Sequence, residues 1–468
     1  MTTENPTARA GAAAPPAPAL SVRSTGLRLG ALFGPAIFGV TAAGVALPDV
    51  ARALHASPSA AAWVLTAHAL ALGIGTALAG RVADARGIRF ILLAGGVVLA
   101  AGAVVCLLAQ NIGTLVAGRF LLAAGSGAMS SAALALAASS APERRPRILA
   151  IFGATMSVFS AGATLAGGVV TEWLTWRLTV ILPVLSLLAL PLVLRQAAAR
   201  PGSGRAVDLW GALLLTVTAA SFLILIQSAA LSLSAGTVTV TAVLLVLAGA
   251  GLAARVLRVP ESFVPRAIAG DSTFVRAALT GAGVYAGLFG TMYAVPQLLV
   301  REHGWSVLSI GLWLLPGAVL GAVLSRRASR MGGSANGLLT VTAFVCAVLL
   351  ALVSLADGGP AVVIAGASLA FAAFAVTQVV TTGLLSARIA PQQRGGAVAL
   401  LNLTFFVGGG IGSAVAGALA KSMELADVVG VVAAFPLLGT VFALTLPRPA
   451  AAPAPQGPPS GGPKDARR

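Results

Sequence analysis

The chain has 468 residues, 58% of them hydrophobic and only 9% charged, with a mean hydropathy of +0.96. Soluble domains carry about 25% charged residues, so a soluble globular fold is excluded and a polytopic membrane protein is expected. The formal net charge of +17 would suggest nucleic acid in a soluble chain, but here the basic residues form short clusters between apolar runs, so no nucleic-acid partner is implied.

Residues 1–28 are rich in Ala and Pro with no apolar core, and read as a disordered cytoplasmic tail; residues 448–468 read the same way. Between them lie apolar runs at 29–50, 62–80, 90–109, 112–137, 148–171, 178–194, 209–228, 233–254, 277–299, 306–324, 336–356, 361–386, 396–420 and 427–447. Each approaches the ~20 residues that a membrane-crossing helix needs, which gives fourteen candidate spans, numbered 1 to 14 below. With the amino terminus inside, 25 basic residues fall on the cytoplasmic side against Arg52, Arg177, Arg301 and Lys421 outside, and Arg119 lies within span 4. That bias places both termini in the cytoplasm.

Internal repetition is weak but visible. A basic residue and a glycine-rich half-helix, Arg147 to Gly168 in span 5, are echoed from Arg394 to Gly417 in span 13. Two related halves with a site between them is a transporter arrangement. We therefore expect an N-terminal half at 29–197, a linker and inserted helix pair at 198–256, and a C-terminal half at 257–447.

The charged break Gly80–Arg89, between spans 2 and 3, has glycines at both ends and the order Gly80, Asp84, Arg86, Gly87, Arg89. It resembles the signature loop of the major facilitator superfamily, and other pieces fall in the same order. Val45-Ala46-Leu47-Pro48-Asp49-Val50 looks like the end of the first helix of the 14-span drug:proton antiporters, and Ala62 to Leu70 is similar to their Trp-led second helix, with His68 where a tyrosine is usual. Gly118-Arg119-Phe120 resembles their buried-arginine motif. Gly162 to Gly168 looks like the antiporter motif, with Ala163 where proline is usual, and Asp208-Leu209-Trp210-Gly211 resembles the start of the inserted pair. The resemblance implies an all-α major facilitator fold, two six-helix halves plus an inserted pair, working by rocking of the halves.

One departure bears on chemistry. The family usually carries an aspartate where this chain has Gly39, two residues before Thr41, and none of the thirteen acids lies in the middle of a span. A mid-membrane carboxylate is the common proton carrier. The candidates left for proton or substrate coupling are Arg119, which needs a partner or a cavity at that depth, His68, whose ordinary pKa of about 6.5 suits proton exchange, and the more peripheral Asp49. Gly80, Asp84, Arg86, Gly87 and Arg89 are the gating motif, with Asp84 expected to pair with cytoplasmic helix ends. Gly162, Gly167 and Gly168 are the antiporter-type motif. Thr41, Tyr285, Phe289, Met292, Tyr293, Gln378 and Asn402 are the cavity candidates, although span-9 aromatics at helical spacing also serve to fill a bundle.

Cys106 and Cys346 sit in apolar runs away from any His or acid cluster, and no metal or other cofactor is expected. No phosphate-cradling Gly-rich loop and no catalytic set is present, so neither ATP coupling nor an enzyme is expected. The resemblance implies proton-coupled export of a small amphipathic drug or natural product by a monomer in the bilayer; uptake or facilitated movement of a small metabolite is the alternative.

Overall fold

The computed structural model describes residues 21–447 apart from 142, 198–201, 205, 230, 260–261, 356–358 and 390–393. The expected tails lie outside the described residues except for 21–28, which are helical from Val22 because the Ser21 hydroxyl accepts the Ser24 N–H and starts the helix. Among the described residues every element is helical, and thirteen helices are long and apolar enough to cross a membrane. The remaining expected span, at 178–194, is divided into Trp176–Val180, a 3₁₀ turn Leu182–Leu185 and Ser186–Ala197. Pro183, in that turn, lacks the backbone donor that a continuous helix requires, whereas Pro191 lies inside Ser186–Ala197 without dividing it.

Two local readings are corrected. Gly80–Arg86 is not a loop: it is the end of the helix Pro58–Arg86, and the turn is Gly87 alone, at φ 92°, before span 3 begins at Ile88. The residues between the glycines are good helix formers, and only Gly87 adopts the left-handed conformation that ends the helix. Span 1, expected to be continuous, runs as Val22–Phe33, a 3₁₀ turn Gly34–Gly39 and Thr41–Ala53. Pro35 removes a donor there and frees carbonyls at the depth where the rest of the site collects.

The packing reveals the repeat that the sequence carries faintly. Spans 1 and 5, 2 and 4, 3 and 4, 1 and 6, and 3 and 6 pack together; so do 9 and 13, 10 and 12, 11 and 12, 9 and 14, and 11 and 14, the same pairs eight spans on. Between the halves, span 2 meets span 13 and span 5 meets span 10, partners that exchange under the same shift, while spans 1 and 9 meet each other. This is a pseudo-two-fold bundle in which the basic, glycine-rich segments of spans 5 and 13 occupy equivalent places.

The inserted helices Leu209–Ile226 and Ala235–Arg258 pack on one another beside the seam between spans 2 and 13. Leu223 fits against Gly410, and Lys421 donates to the Ser232 hydroxyl at 3.0 Å. At the other end Asp208 is a hub. It caps the first inserted helix through the Gly211 N–H (2.9 Å), pairs with Arg255 at 2.6 Å, and accepts the Phe263 N–H at 2.8 Å. The carbonyl of Phe263 in turn accepts Arg81 of span 2 at 3.2 Å. Burial alone would raise the Asp208 carboxyl, but the Gly211 and Phe263 N–H groups and the Arg255 guanidinium outweigh it and hold it below the usual carboxylate range. Because the folded-state value is the lower one, the clamp stabilises the fold at neutral pH, and that contribution is lost as pH falls through the folded value. Asp208→Ala should cost roughly 1–3 kcal/mol, measured as a lower unfolding temperature of the purified chain at pH 7. The difference from the wild type should shrink as the buffer is taken toward pH 3.

Candidate functional site

The two halves are sealed at the face away from the termini. The Ser59 hydroxyl donates to the Gly417 carbonyl at 3.1 Å, Thr66 and Ser413 share a hydrogen bond of 2.8 Å, and the Tyr293 hydroxyl donates to the Pro58 carbonyl at 2.8 Å. Backbones touch nearby: a Cβ at Gly168 would lie 2.9 Å from Leu308 Cα, and one at Gly44 would lie 2.9 Å from the Met292 carbonyl. Small residues allow this approach, and hydroxyls hydrogen-bond across it. Nearer the termini the two seams differ. Spans 2 and 13 stay together down to Phe406 against Gly73 and Gly396 beside Arg81. Below the contacts of Thr164 with Gly311 and of Gly168 with Leu308, Ala154 and Ala150 of span 5 are exposed.

Arg119 lies fully buried inside the N-terminal half. Its Nε donates to the Val64 carbonyl at 3.2 Å, Nη1 to the Val180 carbonyl at 2.7 Å, and Nη2 to the Gly39 carbonyl exposed by the break in span 1. It therefore ties spans 1, 2 and 6 to span 4 with no carboxylate involved. His68 is also fully buried, and neither ring nitrogen has a hydrogen-bond partner. Its ring lies directly against Gly39, where any Cβ would overlap Nε2. Thr41, expected in the cavity, donates to the Ile37 carbonyl at 3.0 Å within the break itself. Asp49 is not part of this group: it pairs with Arg52 at 2.8 Å near the far end of span 1.

The C-terminal candidates separate into two sets. Met292 and Tyr293 belong to the seal just described. Tyr285, Phe289, Gln378 and Asn402 come together: the Tyr285 hydroxyl donates to Gln378 Oε1 at 2.5 Å, and Gln378 Nε2 donates to Asn402 Oδ1 at 2.9 Å. Around the Tyr285 ring lie Phe374 at 4.5 Å between centroids, Phe405 at 4.9 Å, Phe406 edge-on at 5.7 Å and Phe289 at 6.5 Å. Phe406 also packs against the Ala71, Leu72 and Ala123 cluster of the N-terminal half, so this cluster lies at the interface.

The gating motif is caught without the expected pairing. Asp84 is exposed and makes no ion pair, while its backbone carbonyl and that of Ala85 accept the Ser203 and Gly204 N–H groups of the linker at 2.8 and 2.9 Å. Arg86 lies over the Phe90 ring at 5.4 Å, and Arg89 is exposed. The antiporter-type glycines take three different roles. Gly162 faces open space, Gly167 packs on Ala42 of span 1, and Gly168 packs on span 10 across the seam. Sequence reasoning missed Ser59, Thr66 and Ser413, which look like any hydroxyl on a small-residue face, and it missed the break at Pro35, for which Gly34-Pro35 was an available signal.

Residues 29–197 match the family model described as Major Facilitator Superfamily. The chain is 37% identical to the puromycin resistance protein Pur8 of Streptomyces alboniger over 178 residues, 37% of this chain and 35% of that protein. It is 27% identical to the uncharacterized MFS-type transporter Rv1877 of Mycobacterium tuberculosis, over 68% of this chain and 48% of that one. The multidrug resistance protein Stp of the same organism is 26% identical over 86% of this chain and 75% of its own length. The chain thus spans about a third of Pur8 and about half of Rv1877. With these relatives and a two-fold bundle of helices long and apolar enough to cross a membrane, the chain is an all-α, multi-pass membrane protein whose N-terminal half, residues 29–197, matches the Major Facilitator Superfamily.

Proposed function

We propose that the chain is a secondary exporter of small amphipathic drugs or natural products, in a bacterial cytoplasmic membrane with both termini inside, and that protons are the counter-substrate. The observation that supports alternating access is the seal between two pseudo-two-fold halves at the face away from the termini, made of a few hydroxyl bonds and close glycine contacts that can open. Two of the relatives are named for drug or puromycin resistance, which supports export over uptake. Asp84 standing unpaired fits a latch that engages only when the cytoplasmic side closes.

Charge preference follows from the groups at depth. A cation leaving water needs an opposite charge nearby, and electrostatic interactions are several-fold stronger in a low-dielectric interior; among the described residues no carboxylate lies mid-span. The Arg119 donors are turned into carbonyls inside the N-terminal half, so the guanidinium is poorly placed to recruit acids. Neutral and zwitterionic compounds should therefore move best. A susceptibility panel in a pump-deficient host expressing the chain should show protection against neutral compounds, at least about fourfold. Strong protection against a dicationic quaternary ammonium dye would overturn the preference, and sensitisation across the panel would favour uptake.

Proton coupling is assigned to His68, an imidazole with both nitrogens unengaged at the break in span 1. His68→Gln should make transport in vesicles insensitive to an imposed pH gradient, and unchanged gradient dependence would remove it. Because a methyl at 39 would collide with the ring, Gly39→Ala should lose transport, and the double variant with His68→Ala should regain folded protein at the surface without regaining gradient dependence.

A further inference from the structure

The aromatic and amide cluster of the C-terminal half has a direction. Tyr285 donates to Gln378 Oε1, and Gln378 donates to Asn402 Oδ1, so both amide oxygens are engaged. The open end is Asn402 Nδ2, a donor with no partner among the described residues, on a side chain more than nine-tenths buried. Along such a chain each bond polarises the next, so the terminal N–H is a strengthened donor.

The rings are unequal in the same way. Phe405 is sealed, whereas Phe374 and Phe406 are partly exposed, and both flank Tyr285 at stacking or edge-on distances. Aromatic faces at these spacings favour another flat ring. No charged side chain hydrogen-bonds to the cluster, and a charge brought there would lose its hydration uncompensated. Phe406 also touches the N-terminal half, so a molecule held on it would feel the halves separate.

We infer that Tyr285, Gln378, Asn402, Phe374 and Phe406 form the specificity site of the exporter proposed above, and that it takes an uncharged, planar aromatic compound bearing a hydrogen-bond acceptor such as a ring carbonyl. The inference rests on that functional reading for its context but is tested apart from it, by equilibrium binding to the purified full-length chain in detergent. The probes are xanthone and xanthene, which have the same tricyclic frame with a carbonyl in one and a methylene in the other. Xanthone should bind the wild type at least about tenfold more tightly, the worth of one buried hydrogen bond. Asn402→Leu should erase that difference while leaving xanthene within about twofold, and Phe374→Ala should weaken both. Equal binding of the two probes to the wild type, binding of neither, or an equal loss of both in Asn402→Leu would overturn the assignment. Binding in detergent carries no direction: if xanthone binds as expected and vesicles fail to export it, the exporter reading falls while the specificity site stands.

Discussion

The N-terminal half depends on a guanidinium buried without a carboxylate. Withdrawing such a group from water costs several kcal/mol unless its donors are met, and Arg119 meets three acceptors, the carbonyls of Gly39, Val64 and Val180. Carbonyls inside an intact helix are already engaged along the backbone. The Gly39 carbonyl is available because Pro35 breaks span 1 into two helices and a 3₁₀ turn, and the Val180 carbonyl because span 6 is interrupted ahead of Pro183. Arginine and breaks are therefore one device for two of the three acceptors, while the Val64 carbonyl, inside the continuous helix Pro58–Arg86, takes the Arg119 Nε as a second donor. His68 completes it, lying flat against the only kind of residue that leaves room at position 39.

The same economy of side chains governs the meeting of the halves. Where they touch, Gly44, Gly168 and Gly417 bring backbones together, and a few hydroxyls bridge them. Contacts of this kind are individually weak in lipid, about 1 kcal/mol or less for a hydroxyl bridge. A seal made of several weak contacts can open without a large barrier, which is what the proposed transport cycle would require. The inserted pair lies along one seam only, held to span 2 through Phe263 and Arg81 and to span 13 through Ser232 and Lys421. It thereby braces the seam between spans 2 and 13 and leaves the seam between spans 5 and 10 uncovered.

Much of this was legible in the amino-acid sequence, for physical reasons. Hydropathy and the arginine clusters report directly on the bilayer, so the spans emerge, and the echo between spans 5 and 13 marks places that the two-fold packing makes equivalent. What was not legible depends on backbone hydrogen bonding and on distance in space. Hydropathy reads the same whether or not a helix is broken, so the interruptions at Pro35 and Pro183 are marked only by the prolines themselves. The charged segment after Gly80 looks like a loop because it is polar, yet Arg81 to Arg86 remain helical. Gly39 and His68 read as two unrelated departures from the family pattern, although they are one fitted contact. The cavity candidates chosen by residue type divided once positions were known, Tyr285 with Gln378 and Asn402, and Tyr293 with the seal.

If the geometry of the arginine matters, and not its charge alone, then the substitution that keeps the charge and removes the fork separates the two. Lysine offers one compact ammonium in place of a planar group with donors on three nitrogens, and it cannot serve carbonyls from three segments at once. The deciding measurement is substrate transport by Arg119→Lys in vesicles, normalised to the amount of folded protein. A loss of at least about tenfold is predicted, together with a lower unfolding temperature. Transport at the wild-type rate would contradict the account and leave a positive charge at that depth as the sole requirement.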